Sequence, residues 1–98
     1  MANSAMRMTV RIKGTPMRAV LNTGANVSIV TLPVVKKLYL IIGMPDRSKI
    51  IAVDQTKKNV MGIVRDALLS IQNARVSVNL LVIDASEDNL LLGTDWID

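Results

Sequence analysis

The side chains best placed for chemistry stand in one short run, Val20-Leu21-Asn22-Thr23-Gly24-Ala25-Asn26-Val27-Ser28. Two apolar residues lead into a small polar triplet, then Gly-Ala, then a serine. The run offers two amides, Asn22 and Asn26, and two hydroxyls, Thr23 and Ser28. An amide has no proton to exchange near neutral pH and cannot serve as a base. Nothing elsewhere supplies the usual partner, because the chain holds no His and no Cys. That excludes Ser-His and Cys-His nucleophilic machinery, disulfides, and thiolate or imidazole metal sites. Catalysis is left to carboxylates, Lys, Tyr, or hydroxyls without a histidine base. Asp84, Glu87 and Asp88 carry oxygens that suit calcium. Their spacing matches no established calcium loop, so they read as a solvated acidic loop, and no metal or cofactor is expected. Asn26-Val27-Ser28 matches a glycosylation acceptor, but no secretory signal accompanies it.

Ninety-eight residues suit a single domain, which limits the core and favours oligomerisation. Half the residues are hydrophobic and only 2% aromatic. The core must therefore come from Val, Ile, Leu and Met, a mix rich in β-branched residues that favours strands. No apolar run approaches the roughly 20 residues that cross a bilayer. Met1 to Ala5 lacks the pattern of a signal peptide and reads as a disordered lead-in or a cloning remnant. An intracellular, cytoplasmic protein is expected. The net charge is +4, from basic residues scattered along the chain. With no aromatics interleaved to stack bases, they read as solvated strand faces, and neither nucleic acid nor membrane is expected as a partner.

The elements that hold this run follow from periodicity. Met6 to Lys13 alternates apolar and polar, a half-buried strand. Gly14-Thr15-Pro16 signals a turn, and Met17 to Leu21 forms a second strand running into Asn22. Val27 to Thr31 is a further short strand. Thr31 to Leu38 suits one or two helical turns, capped by Thr31 or Leu32, with Pro33 in the first turn. Ile50–Val53 and Asn59–Val64 flank a polar tip and read as a protruding hairpin. Ala67–Gln72 and Val76–Ile83 pair around Asn73-Ala74. Leu90–Leu92 is a buried strand by length, and Gly93 to Asp98 starts a helix. Many short strands with few helices argue a closed all-β fold.

Three features in this order resemble the retropepsin-like aspartic proteases of retroviruses and Ty3/gypsy-like retroelements. The first is Leu21-Asn22-Thr23-Gly24-Ala25 with Ser28, similar to the family's apolar-Asp-Thr/Ser-Gly-Ala loop. The second is the hairpin from Ile50 to Val64, placed like the substrate-covering flap. The third is Leu90-Leu91-Leu92-Gly93-Thr94-Asp95-Trp96-Ile97, similar to a signature near the end of such proteases. The resemblance covers residues 6–98, a single protease domain. It implies a closed acid-protease β-barrel with a flap hairpin and one or two short helices.

The resemblance also implies a chemistry. The family cleaves peptides with two carboxylates, one from each subunit of a homodimer, so close that they share a proton. One activates water as a general base, and the other, protonated, polarises the scissile carbonyl. This chain has Asn22 at the aspartate position. Thr23 would brace the loop across the two-fold axis, Gly24 would permit close approach of substrate, and Ser28 and Gly93 would support the loop. Ala25, Ile51, Val53, Asp54 and Ile63 would contact an extended peptide or polyprotein. An Asn at 22 predicts a folded, peptide-binding, inactive homodimer. Two origins fit: a deliberate Asp-to-Asn change that stops self-digestion, or a natural non-catalytic binding module. The tip Asp54-Gln55-Thr56-Lys57-Lys58 lacks the glycine many relatives carry. Relatives also continue beyond the equivalent of Asp98 to a final strand, which in viral members joins a dimer-spanning sheet.

Overall fold

The computed structural model describes residues 6–22, 24, 26–44 and 60–94. Strand β1 (Met6–Ile12) and strand β2 (Thr15–Leu21) form the first hairpin, in the register Met6 to Leu21 through Ile12 to Thr15. The turn lies one residue earlier than Gly14-Thr15-Pro16 predicts. Lys13 and Gly14 occupy it with φ of 52° and 79°, the positive pair that a two-residue hairpin turn needs to match strand twist. Pro16 is consequently inside β2, opposite Arg11. Next to a two-residue turn this is a non-hydrogen-bonded pair, so the missing N–H faces away from β1. On that side β2 is paired only at Val20 and Leu21.

Strand β3 (Ser28–Thr31) runs directly into helix α1 (Leu32–Lys37), whose first turn holds Pro33 as expected. Thr31 takes the N-cap position but makes no side-chain cap bond. Its hydroxyl is engaged elsewhere: it accepts from the Asn89 N–H at 2.9 Å and donates to the Asn89 carbonyl at 3.3 Å. At the other end Tyr39 adopts φ 55°. The Tyr39 N–H donates to the Lys36 carbonyl and the Leu40 N–H to the Val35 carbonyl, the paired bonds of a Schellman ending.

Strand β4 (Val60–Ile71) is one long strand, not the two short ones that the sequence predicts at 59–64 and 67–72. A bulge at Arg65-Asp66 opposite Asn79 replaces the break. Asp66 has φ 55°, and its N–H donates to Asn79 Oδ1 at 2.9 Å. The strand therefore bends without ending. Strand β5 (Ala74–Ile83) returns antiparallel after a turn at Gln72-Asn73, and strand β6 (Leu90–Leu92) completes the set. The predicted flap strand at 50–53, its tip at 54–58 and the predicted helix beyond Thr94 lie outside the described residues.

The strands close into a barrel in the order β1-β2-β6-β3-β5-β4, with β4 returning to β1. Its interior is aliphatic, as the composition requires: Val10, Ile12, Leu69, Leu80, Val82, Leu90 and Leu92 are all buried. The second half of β5 is apolar on both faces. Leu80 and Val82 point inward, while Leu81 and Ile83 join Ile63 in a smaller outer cluster. Among the described residues, no helix is long and apolar enough to cross a membrane.

Candidate active site

β6 threads between β2 and β3, parallel to the first and antiparallel to the second. The connection 22–27 must therefore arch over the end of β6. It is tied down on both sides. The Asn22 N–H donates to the Leu92 carbonyl at 2.9 Å. Ser28, fully buried, accepts the Gly93 N–H on its Oγ at 3.1 Å. Within the arch, the Gly24 N–H donates to Asn22 Oδ1 at 2.9 Å. A Cβ at Gly24 would stand 3.2 Å from that same oxygen, so glycine permits this approach. The amide oxygen of Asn22 is thereby oriented by its own loop.

Strand alternation decides what Asn22 faces. Ala19 is buried in the barrel interior and Leu21 packs against it, so Val20 points outward. Asn22 follows Val20 on the same side. Register then lines up Val20, Leu91, Ile29, Leu81 and Ile63 across five strands. This apolar row borders a cavity of about 360 Å³ lined by Val20, Ile29, Leu91 and Ile83, with Thr31, Glu87 and Asn89 on its polar rim. The Thr31–Asn89 bonds hold that rim against β3.

Of the sequence candidates, Asn22, Gly24, Ser28 and Gly93 are brought together at the end of β6, and Ile63 lies on the same outer face. Thr23, Ala25, Ile51, Val53 and Asp54 lie outside the described residues. Their two flanks nevertheless meet. Gly43 and Ile63 exchange backbone hydrogen bonds of 2.7 and 2.9 Å, so the stretches on either side of 45–59 meet in one antiparallel bridge. Sequence reasoning did not single out Val20, Ile29 or Leu91. The signal for Val20 was present in its two-residue offset from Asn22. The signal for Leu91 was not, because its pairing partners are far away in sequence.

With that geometry in hand, comparison with known proteins is decisive. The model of the family described as "gag-polyprotein putative aspartyl protease" matches residues 8–98. The chain belongs to this aspartyl protease family. Among solved structures, the barrel of this gag-type protease chain is similar to the retroviral protease-like domain of Ddi1 from Leishmania major. The TM-score is 0.71 at 15% identity, over 94% of this chain and 74% of that one. At such identity the likeness is one of fold. No curated protein matches the chain. In this protease-family barrel the Asn22 loop continues β2 two residues beyond Val20, which lines the apolar cavity.

Proposed function

We propose that the chain is the protease domain of a retroelement polyprotein, a homodimeric aspartic endopeptidase whose catalytic aspartate is replaced by Asn22. As written it binds extended peptides and does not cleave them. The observation that carries this reading is the setting of Asn22. Its side-chain oxygen accepts the Gly24 N–H where a carboxylate oxygen could accept the same bond. The loop is thus formed without the carboxylate.

The chemistry follows from that substitution. In an active dimer one carboxylate of the pair holds a proton and the other does not, so the pair can both polarise a carbonyl and activate water. Two amides offer neither function. They retain the loop geometry, because Asn and Asp are nearly isosteric. The peptide would lie as an extended strand between segment 45–59 and the apolar row, held by main-chain hydrogen bonds. Val20, Ile29, Leu91 and Ile63 would line aliphatic subsites, with Ala25, Ile51, Val53 and Asp54 closing them. Thr23 would brace the loop across the two-fold axis.

The test is peptide cleavage by Asn22→Asp beside the chain as written, from acidic to neutral pH and at several protein concentrations. Cleavage by the Asp form alone, rising more than linearly with concentration, is the expected result. A folded, dimeric Asp form that cleaves nothing would favour a non-catalytic peptide-binding module.

A further inference from the structure

The basic residues that look scattered in sequence are gathered by the barrel. Arg11, Ser70 and Arg75 stand opposite one another on three neighbouring strands, β1, β4 and β5. With Lys13, Gly14 and Leu68 they line a depression of about 410 Å³, and none of the described residues lining it carries a carboxylate. Two of its cations are held by neutral partners. Arg11 donates to the Gly14 carbonyl at 3.1 Å and Lys13 Nζ to the Leu38 carbonyl at 3.3 Å. These bonds position the charges without compensating them. Neighbouring strands are about 4.8 Å apart, so the two arginines flank the Ser70 hydroxyl at about twice that separation. Among the described residues, the one ion pair is Lys37 with Asp88, elsewhere on the surface.

A second observation comes from the end of α1. Tyr39 occupies the left-handed position of the Schellman ending, with φ 55°, where glycine is the usual residue. A bulky side chain there is strained. Burial does not offset the strain, since Tyr39 is 84% exposed. Its ring lines a second depression together with Lys13, which also lines the basic one. The Lys13–Leu38 bond ties that cation to the residue preceding the tyrosine. The exposed ring therefore shares its depression with Lys13, Arg65 and Asp66, and through Lys13 adjoins the one that holds Arg11 and Arg75.

We infer that this surface is a binding site for single-stranded nucleic acid. Arg11, Arg75 and Lys13 take backbone phosphates and Tyr39 stacks a base. A double helix keeps its bases stacked inside and offers Tyr39 nothing, so the ring favours single strands over duplex. The site is remote from Asn22. Met6 is level with Leu21, and Arg11 lies five strand positions on, about 16 Å. The inference is independent of whether the Asn22 site binds peptide.

The experiment is fluorescence anisotropy of a labelled oligo-dT about 15 nucleotides long, titrated with the full chain across a salt series. About three phosphate contacts predict affinity falling about twentyfold between about 50 and 200 mM salt. Arg11→Gln with Arg75→Gln should flatten the logarithmic salt slope by about 1.4. Tyr39→Gly should weaken binding about tenfold with the slope unchanged. It should also raise the melting temperature, so damage to the fold cannot produce that loss. Ser70→Asp places a carboxylate between the two arginines. It should abolish binding while leaving the protein folded, and it stands in if the double variant unfolds.

Three outcomes overturn the proposal. One is unchanged binding by Tyr39→Gly. Another is an equal loss from the charge-matched pair Lys36→Gln and Lys37→Gln, which marks diffuse attraction. The third is duplex binding as tight as single-strand binding.

Discussion

Gly62 and Gly43 approach so closely that a Cβ on Gly62 would lie 2.6 Å from the Gly43 carbonyl oxygen and 2.3 Å from a methyl of Ile42. Gly62 also adopts φ +155°, a conformation that side chains rarely take. The two glycines let the chain after α1 dock against the root of β4. That contact sets the Gly43–Ile63 bridge.

Gly62→Ala should therefore break the bridge and cost about 1–3 kcal/mol, from backbone strain and the clash together. Urea denaturation measures the loss. In the Asn22→Asp background, peptide cleavage should fall by more than the loss of folded protein explains, because the Gly43–Ile63 bridge beside the apolar row has moved. A Gly62→Ala protein as stable as its parent would show that the close approach is not a constraint.

Leu91 and Leu92 are neighbours with opposite tasks. Leu92 is fully buried in the barrel, whereas Leu91 is half-buried in the outer row. Leu92→Ala should cost about 2–5 kcal/mol by opening a cavity. Leu91→Ser should cost about 1 kcal/mol of stability and weaken peptide binding strongly. Thermal melts and peptide titration, run on both variants, read the two effects separately. The prediction fails if the two substitutions damage stability and binding in the same ratio.

The pH dependence of association should differ between the Asn22 chain and its Asp form. Two amides carry no charge, so dimerisation of the chain as written should be flat with pH around the carboxylate range. Two adjacent carboxylates bind a shared proton more tightly in the dimer than when apart, which raises the upper apparent pKa of the pair. That extra association is fully present at low pH and is lost as pH rises through this raised pKa. Sedimentation of both forms across acidic to neutral pH should show a dimer that weakens with rising pH only for Asn22→Asp.

Much of this was legible in the sequence, for identifiable reasons. The alternation of Met6 to Ile12 is local, so β1 and its faces could be read directly. The run Asn22-Thr23-Gly24-Ala25 and the later Leu90-Leu91-Leu92-Gly93 carry a family pattern, and the structure joins them through Leu92 and Gly93. Other features depend on partners that the local sequence does not name. Arg65-Asp66 reads as an interruption, because the Asn79 side chain that holds the bulge comes from another strand. The turn at Lys13-Gly14 was displaced because Lys13 takes a positive φ that its residue type does not advertise. The place of Leu91 beside Val20 and Ile29 arises from β6 threading between β2 and β3. The grouping of Arg11 with Arg75 exists only once β4 separates their strands.

The threading of β6 has a consequence for biosynthesis. The Asn22 loop is fastened by Leu92 and Gly93, and the Ser28–Gly93 bond spans 65 residues of chain. On the ribosome, β1, β2, β3 and α1 emerge before β6, yet β2 and β3 have no direct ladder between them. They await a three-residue strand that follows β5 in the chain. Such long-range pairing is slow to form. A chain not yet translated through Gly93 therefore has no assembled Asn22 loop. In a form carrying Asn22→Asp, proteolytic competence would be withheld until translation had passed Gly93.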